Sequence, residues 1–160
     1  MALTGVRSVG WRAVPRLLSV ALLIALTLIA CGKSTEDKYK DAFPPIDRGL
    51  VVLGDDVGGG LRDAGQSEDR ALAGEFARYA RRLGGLRERL DGLEAPDALE
   101  SDQERLLAAM ASVRGALADV AEAARRGDVA AARDAATRLV RAGARLDEAR
   151  SDLARAVRTL

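Results

Sequence analysis

Histidine is absent from this 160-residue sequence, and cysteine occurs once, at Cys31. Without histidine no Ser-His-Asp triad can form. Di-metal bundle sites built on Glu-x-x-His are excluded with it, as are histidine-held haem and mixed Cys/His zinc sites. One cysteine rules out an intrachain disulfide. An excess of one charge is also lacking, since 25 basic residues stand against 24 acidic ones. That balance gives no electrostatic case for nucleic acid or for strong attachment to anionic lipid heads. Aromatics are scarce, at 3%. The one long apolar run, Leu17 to Ala30, is shorter than the roughly 20 residues of a comfortable transmembrane helix. Carboxylate pairs such as Asp55-Asp56 and Asp147-Glu148 are adjacent. Adjacent helical residues do not face each other, so neither makes a two-carboxylate site. The Asp55-Asp56 pair also lacks calcium-loop spacing. The chain therefore predicts no catalytic residue, no metal and no cofactor, and it is not expected to be an enzyme.

What is present begins before Cys31. Arg7, Arg12 and Arg16 make a basic start, the run Leu17 to Ala30 follows, and no acidic residue precedes Glu36. That is the layout of an export signal. No Arg-Arg pair occurs among residues 1–30, which favours the general secretory route over the twin-arginine one. The run ends in Leu28-Ile29-Ala30-Cys31, which resembles the lipobox of bacterial lipoproteins. The resemblance implies a diacylglyceryl group on the sulfur of Cys31. It also implies a signal peptidase that reads Leu28, Ile29, Ala30 and Cys31 and cuts before the cysteine. The expected location is the cell membrane, lipid-anchored on its extracytoplasmic side. A buried methylene contributes about 0.8 kcal/mol, and two acyl chains hold where one does so only marginally. A thioether would also remove the lone thiol of an exported protein. The competing reading is an uncleaved membrane anchor with an incidental cysteine.

Three segments follow from this: a signal peptide over 1–30, a lipidated cysteine and polar tether over 31–43, and a helical domain over 44–160. Removing the three signal arginines from the 25 basic residues leaves 22 against the same 24 acids. Gly32 to Lys40 reads as the tether, with Tyr39 and Phe43 where the fold begins. Pro44-Pro45 is expected to stop any earlier helix and open the next. Ile46, Leu50, Leu53, Val57, Leu61 and Ala64 then mark one helical face. This helix is weakened by Gly49, Gly54 and Gly58-Gly59-Gly60, each costing about 1 kcal/mol against alanine. The glycine triplet reads as a break, a kink or a close approach. It is no phosphate loop, because no Gly-Lys-Ser/Thr follows and no strand precedes it.

Ser67 is a candidate N-cap for a second helix, whose Leu72, Phe76, Tyr79, Leu83, Leu86, Leu90 and Leu93 repeat at four-three spacing. Arginines off that seam make the most basic patch, read as a solvated face ahead of an anion site. Pro96 breaks the chain, and Asp97 with Glu100 resembles a capping box. The third helix carries Leu99, Gln103, Leu106, Met110, Val113, Leu117, Val120 and Ala124 on its seam. Gln103 is polar among apolar neighbours and needs a partner. It fixes helix register, meets water near an end, or contacts a ligand. Gly127 and Asp128 fit a left-handed C-cap and the next N-cap. That structural account leaves the Arg-Gly-Asp tripeptide there no separate role. In the last helix Leu139, Leu146, Leu153 and Leu160 stand seven apart, as do Ala135, Ala142, Ala149 and Ala156. This seam reads as packing within the chain ahead of dimerisation.

Four amphipathic segments on short turns predict an all-α, antiparallel up-down four-helix bundle. The alternative is a three-helix bundle with an irregular first segment. The break from Leu93 to Leu99, set between a leucine-rich helix and an amphipathic one, is similar to that of helical lipoproteins of uncharacterised function, a likeness that implies no activity. Two function classes stand. One is a membrane-held interaction or structural module for an envelope protein partner. The other binds a small apolar molecule or lipid between the helices, with room left at glycines 58 to 60 and at Gly84, Gly85, Gly115 and Gly143.

Overall fold

The computed structural model describes residues 33–160. Within them four helices run antiparallel: α1 (Thr35–Asp63), α2 (Asp69–Asp91), α3 (Glu100–Arg126) and α4 (Val129–Thr159). A short 3₁₀ turn, Ala64–Gln66, joins the first two. No strand occurs among the described residues. The bundle has four full members, so a three-helix core with an irregular first segment is not needed.

The first helix differs most from its expected form. It starts at Thr35, not after Pro45. Ser34 caps it, its hydroxyl accepting from the Asp37 amide at 3.1 Å. Glu36 and Asp37 in the first turn suit the positive end of the helix dipole. The helical domain therefore begins at Ser34 and not at residue 44, and most of the expected tether is helix. Tyr39 and Phe43 are 1% and 2% exposed, with stacked rings whose centroids lie 6.0 Å apart. Pro44 and Pro45 lie inside α1. A proline cannot give its i→i−4 hydrogen bond, at a cost of about 3 kcal/mol in a helix interior. Tyr39 and Phe43 before the prolines, and Ile46 and Leu50 after them, share one buried face. Each fully buried large side chain contributes about 1.5–3 kcal/mol, so the four together outweigh the prolines.

The glycines of α1 do not break it. A Cβ on Gly49 would lie 2.8 Å from Leu86 Cδ2, and one on Gly60 would lie 3.3 Å from the Tyr79 ring. These two let α1 close on α2. Arg82 and Asp56 pair across the same contact at 2.5 Å, an exposed bridge of small energetic weight.

Two expected caps are replaced. Ser67 donates back to the Asp63 carbonyl at 3.1 Å and closes the preceding turn, and Glu68 takes the N-cap position of α2. Asp97 and Glu100 form no capping box. Leu99 occupies the N-cap of α3, buried at 1% exposure, with its amide on the Pro96 carbonyl at 2.8 Å. Burying a leucine here outweighs a polar cap. At the next corner Gly127 takes φ 65°, the left-handed cap, and Asp128 accepts from the Ala131 amide at 3.0 Å.

The core is continuous. Phe76, Leu83, Leu90, Leu106, Met110, Leu117 and Leu153 are fully buried. On α4 the buried seam is Ala135, Leu139, Ala142, Leu153 and Val157, while Leu146, Ala149, Ala156 and Leu160 are partly covered. The helices α2, α3 and α4 pack closely in chain order. Contact between α1 and α4 is sparse. No described helix is long and apolar enough to cross a membrane.

Candidate functional site

The sparse contact between α1 and α4 leaves a groove of about 360 Å³. Its walls are Leu50, Leu53 and Val57 of α1 and Leu139 and Leu146 of α4, and Leu83, Val113 and Leu117 form the floor. The floor residues belong to the core seams of α2 and α3, so the groove is apolar to its base. Three glycines keep it open. A Cβ on Gly54 or Gly143 would meet nothing within 4 Å, and one on Gly58 would meet only the Arg62 guanidinium at 3.5 Å. Gly49 and Gly60 are explained by packing of α1 on α2, whereas Gly54 and Gly143 face empty space. Val51 and Val140 stand on the two lips, 44% and 62% exposed.

One end of the groove is latched. The Arg150 guanidinium donates to Asp47 of α1 and to Asp147 of α4, each at 2.8 Å. Its side chain is 20% exposed. Hydrogen bonds to Asp147 and Asp47 hold its pKa above the ordinary arginine value against the opposing effect of burial. The latch joins α1 to α4, whose apolar faces scarcely touch. Asp55 also lines the groove, while its neighbour Asp56 turns to Arg82 on α2. The adjacent pair thus diverges, as helix geometry requires.

Gln103 lies elsewhere, near the α2–α3 connection. Its Oε1 accepts from the Tyr39 hydroxyl at 2.6 Å, and its Nε2 donates to the Leu93 carbonyl at 3.2 Å. Both ends of the Gln103 amide are thus held within the chain. The side chain is 8% exposed, and its amide is engaged by α1 and by the chain leaving α2. Burial pushes the Tyr39 hydroxyl above the ordinary phenol range, with the Asp102 charge adding to it.

The other glycines singled out in the sequence fall apart in space. Gly84, Gly85 and Gly115 line a shallow surface trough between α2 and α3 with Arg81, Arg87 and Arg114. There the Arg87 Nε is enclosed without a hydrogen-bond acceptor among the described residues. Of the glycines singled out in the sequence, Gly54, Gly58 and Gly143 reach the groove. The sequence reading did not single out Val51, Val140, Asp47 or Arg150. Val51 and Val140 did carry a signal, since both are large apolar residues off their helix seams, three residues before a glycine. Residues Leu28, Ile29, Ala30 and Cys31 lie outside the described residues. No cluster of three His, Cys, Asp or Glu is placed to hold a metal ion among the described residues. No family model matches the chain, and neither a curated protein nor a solved structure matches it.

Proposed function

We propose that this chain is a lipid-anchored, extracytoplasmic docking module of the cell envelope, held at the membrane through Cys31, with the α1–α4 face as its docking surface. One observation carries the docking role. The groove is apolar, opened on each wall by a glycine, Gly54 and Gly143, that meets nothing, and rimmed by two exposed valines on different helices. Exposed apolar groups gathered on one face mark interaction sites, whereas scattered ones need no explanation. The basic start, the apolar run and Leu28-Ile29-Ala30-Cys31 support the anchor. The size of the groove, about 360 Å³, favours a second reading, in which it holds a small apolar molecule; such sites span about 300–1,000 Å³.

The anchor is tested by expressing the full chain in a bacterial host and weighing the intact membrane-fraction protein beside Cys31→Ser. The expected wild-type product lacks residues 1–30 and carries added acyl mass, and the variant shows neither. An unprocessed, unlipidated wild type in a competent host would remove the anchor. The docking role is tested by hydrogen exchange on membrane-held and on purified, dilute protein. Slower exchange over residues 50–61 and 139–147 in the membrane sample is expected, and equal exchange would remove the role.

A further inference from the structure

The trough between α2 and α3 shares no residue with the α1–α4 groove. Three arginines line it, Arg81 and Arg87 from α2 and Arg114 from α3, against one acid, Glu88. None of the three makes an ion pair or a side-chain hydrogen bond among the described residues. Nearby carboxylates are engaged elsewhere: Asp56 holds Arg82, and Asp119 holds Arg138. A depression lined mainly by one sign of charge concentrates counter-ions. Arg87 sharpens the point, because its Nε is enclosed without an acceptor. An enclosed donor left unpaired is costly, and each one in a native fold calls for an explanation. The glycines shape the space between the arginines. A Cβ on Gly84 would lie 3.9 Å from Arg114 Nε, so Arg114 reaches across from α3 to the surface of α2. A Cβ on Gly85 or Gly115 would meet nothing within 4 Å, which leaves room for a ligand against the helix backbones.

We propose that this trough binds a phosphate group, with Arg87 and Arg114 taking its oxygens from opposite helices and Arg81 adding charge. Arginine suits the task, because its planar guanidinium presents paired donors that match two oxygens of a phosphate. Turning the Arg87 guanidinium onto the anion gives its Nε the acceptor it lacks. Binding therefore removes a penalty carried by the free protein, and the side chain is the one that gains most. Glu88 opposes the anion, and three arginines outweigh it. The phosphate is either free or part of a lipid headgroup, since both present the same oxygens. The arginines of α2 then do more than solvate a helix face. Neither the apolar groove nor a lipid on Cys31 enters this inference.

The test follows the arginine Nε–H resonances of the full chain by NMR, in non-ionic detergent at constant ionic strength. Inorganic phosphate is the first probe, and monomeric dihexanoylphosphatidylglycerol is the second. Saturable movement of the Arg87 resonance, assigned through Arg87→Lys, is expected with at least one probe and not with chloride. A response to phosphate alone makes the ligand a free phosphate, and a response to the lipid, with or without phosphate, makes it a headgroup. Arg114→Gln and Gly85→Glu should each weaken binding by about tenfold, the equivalent of one charged hydrogen bond. Arg133→Gln, an equal loss of charge on the exposed surface of α4, should leave it unchanged. Arg114 and Gly85 are also exposed, and a Cβ at residue 85 meets nothing. Their helical circular dichroism should therefore match the wild type, which separates loss of the site from loss of the fold. No saturable movement with either probe, or equal weakening in Arg133→Gln, would overturn the site.

Discussion

Tyr39 and Gln103, 64 positions apart, share a 2.6 Å hydrogen bond inside the core, and the same glutamine amide holds the Leu93 carbonyl. One polar side chain thus ties the start of α1 to the connection between α2 and α3. Replacing Gln103 by leucine leaves the tyrosine hydroxyl and the carbonyl buried without their partner. Each such group costs about 1–3 kcal/mol. Tyr39→Phe removes the hydroxyl and is expected to cost about 1 kcal/mol. The double variant Tyr39→Phe with Gln103→Leu is expected to lose less than the sum of the two, because one orphaned group is then gone. Urea unfolding of the four proteins closes the cycle. Strict additivity would show that the hydrogen bond does not couple the two side chains.

The glycines of α1 and α4 divide into two groups with opposite expected responses. Gly54→Ala and Gly143→Ala add a methyl where nothing lies within 4 Å, so each should gain about 1 kcal/mol from helix propensity. Gly60→Ala puts a Cβ 3.3 Å from the Tyr79 ring, and the propensity gain is offset by displacement of that ring. Urea midpoints should rise for the first pair and stay level or fall for Gly60→Ala. A rise of equal size at all three positions would mean that α1 does not pack on Tyr79 as described.

The Arg150 latch joins α1 to α4 where their apolar faces scarcely meet. Asp47→Asn is expected to lose about 1–2 kcal/mol, between the values for exposed pairs and for half-buried charge-assisted hydrogen bonds. The loss should shrink in molar salt, which shortens the screening length to about 3 Å. Amide exchange in the first half of α1 should quicken more than exchange in α3. Uniform quickening would show that the pair has no local latching role.

Alkaline pH should weaken the fold through its two tyrosines. Burial, aided by a hydrogen bond to Glu75, pushes the Tyr79 phenol up to about 12, and burial also raises Tyr39. A folded-state pKa above the unfolded value of about 10 means that the folded form holds its proton more tightly. The stabilisation is complete below pH 10 and is lost as pH rises toward 12. The sequence has two tyrosines, and its single tryptophan, Trp11, lies in the basic start within residues 1–30. Absorbance at 295 nm on the chain lacking residues 1–30 therefore reports these two phenols. Phenolate should appear together with unfolding and not near pH 10. Tyr79→Phe should flatten the loss of stability between pH 10 and 12.

The all-helical class and three of the four helices are legible from spacing alone. The seams through Phe76, Tyr79 and Leu83, through Leu106, Met110 and Leu117, and through Leu139 and Leu153 repeat with helical period, and all these residues are buried. A helix can hide an apolar stripe only at that period, so the local sequence specifies both the element and its inward face. The Gly127 and Asp128 corner is equally local, since a left-handed cap and a side-chain N-cap need only neighbouring residues.

Tertiary packing decided the rest. The Pro44-Pro45 pair reads as a helix stop because the missing hydrogen bonds are local, whereas the burial of Tyr39 and Phe43 that outweighs them depends on partners far along the chain. The demand of Gln103 for a polar partner was visible, but the identity of that partner was not, since Tyr39 lies 64 residues away. The α1–α4 groove was the least legible feature. Whether a helical glycine admits a neighbour or faces open space depends on the helix beside it. Gly49 and Gly60 meet α2, while Gly54 and Gly143 meet nothing. Periodicity determines which face of each helix turns inward, and only the assembled bundle determines how closely two such faces come together.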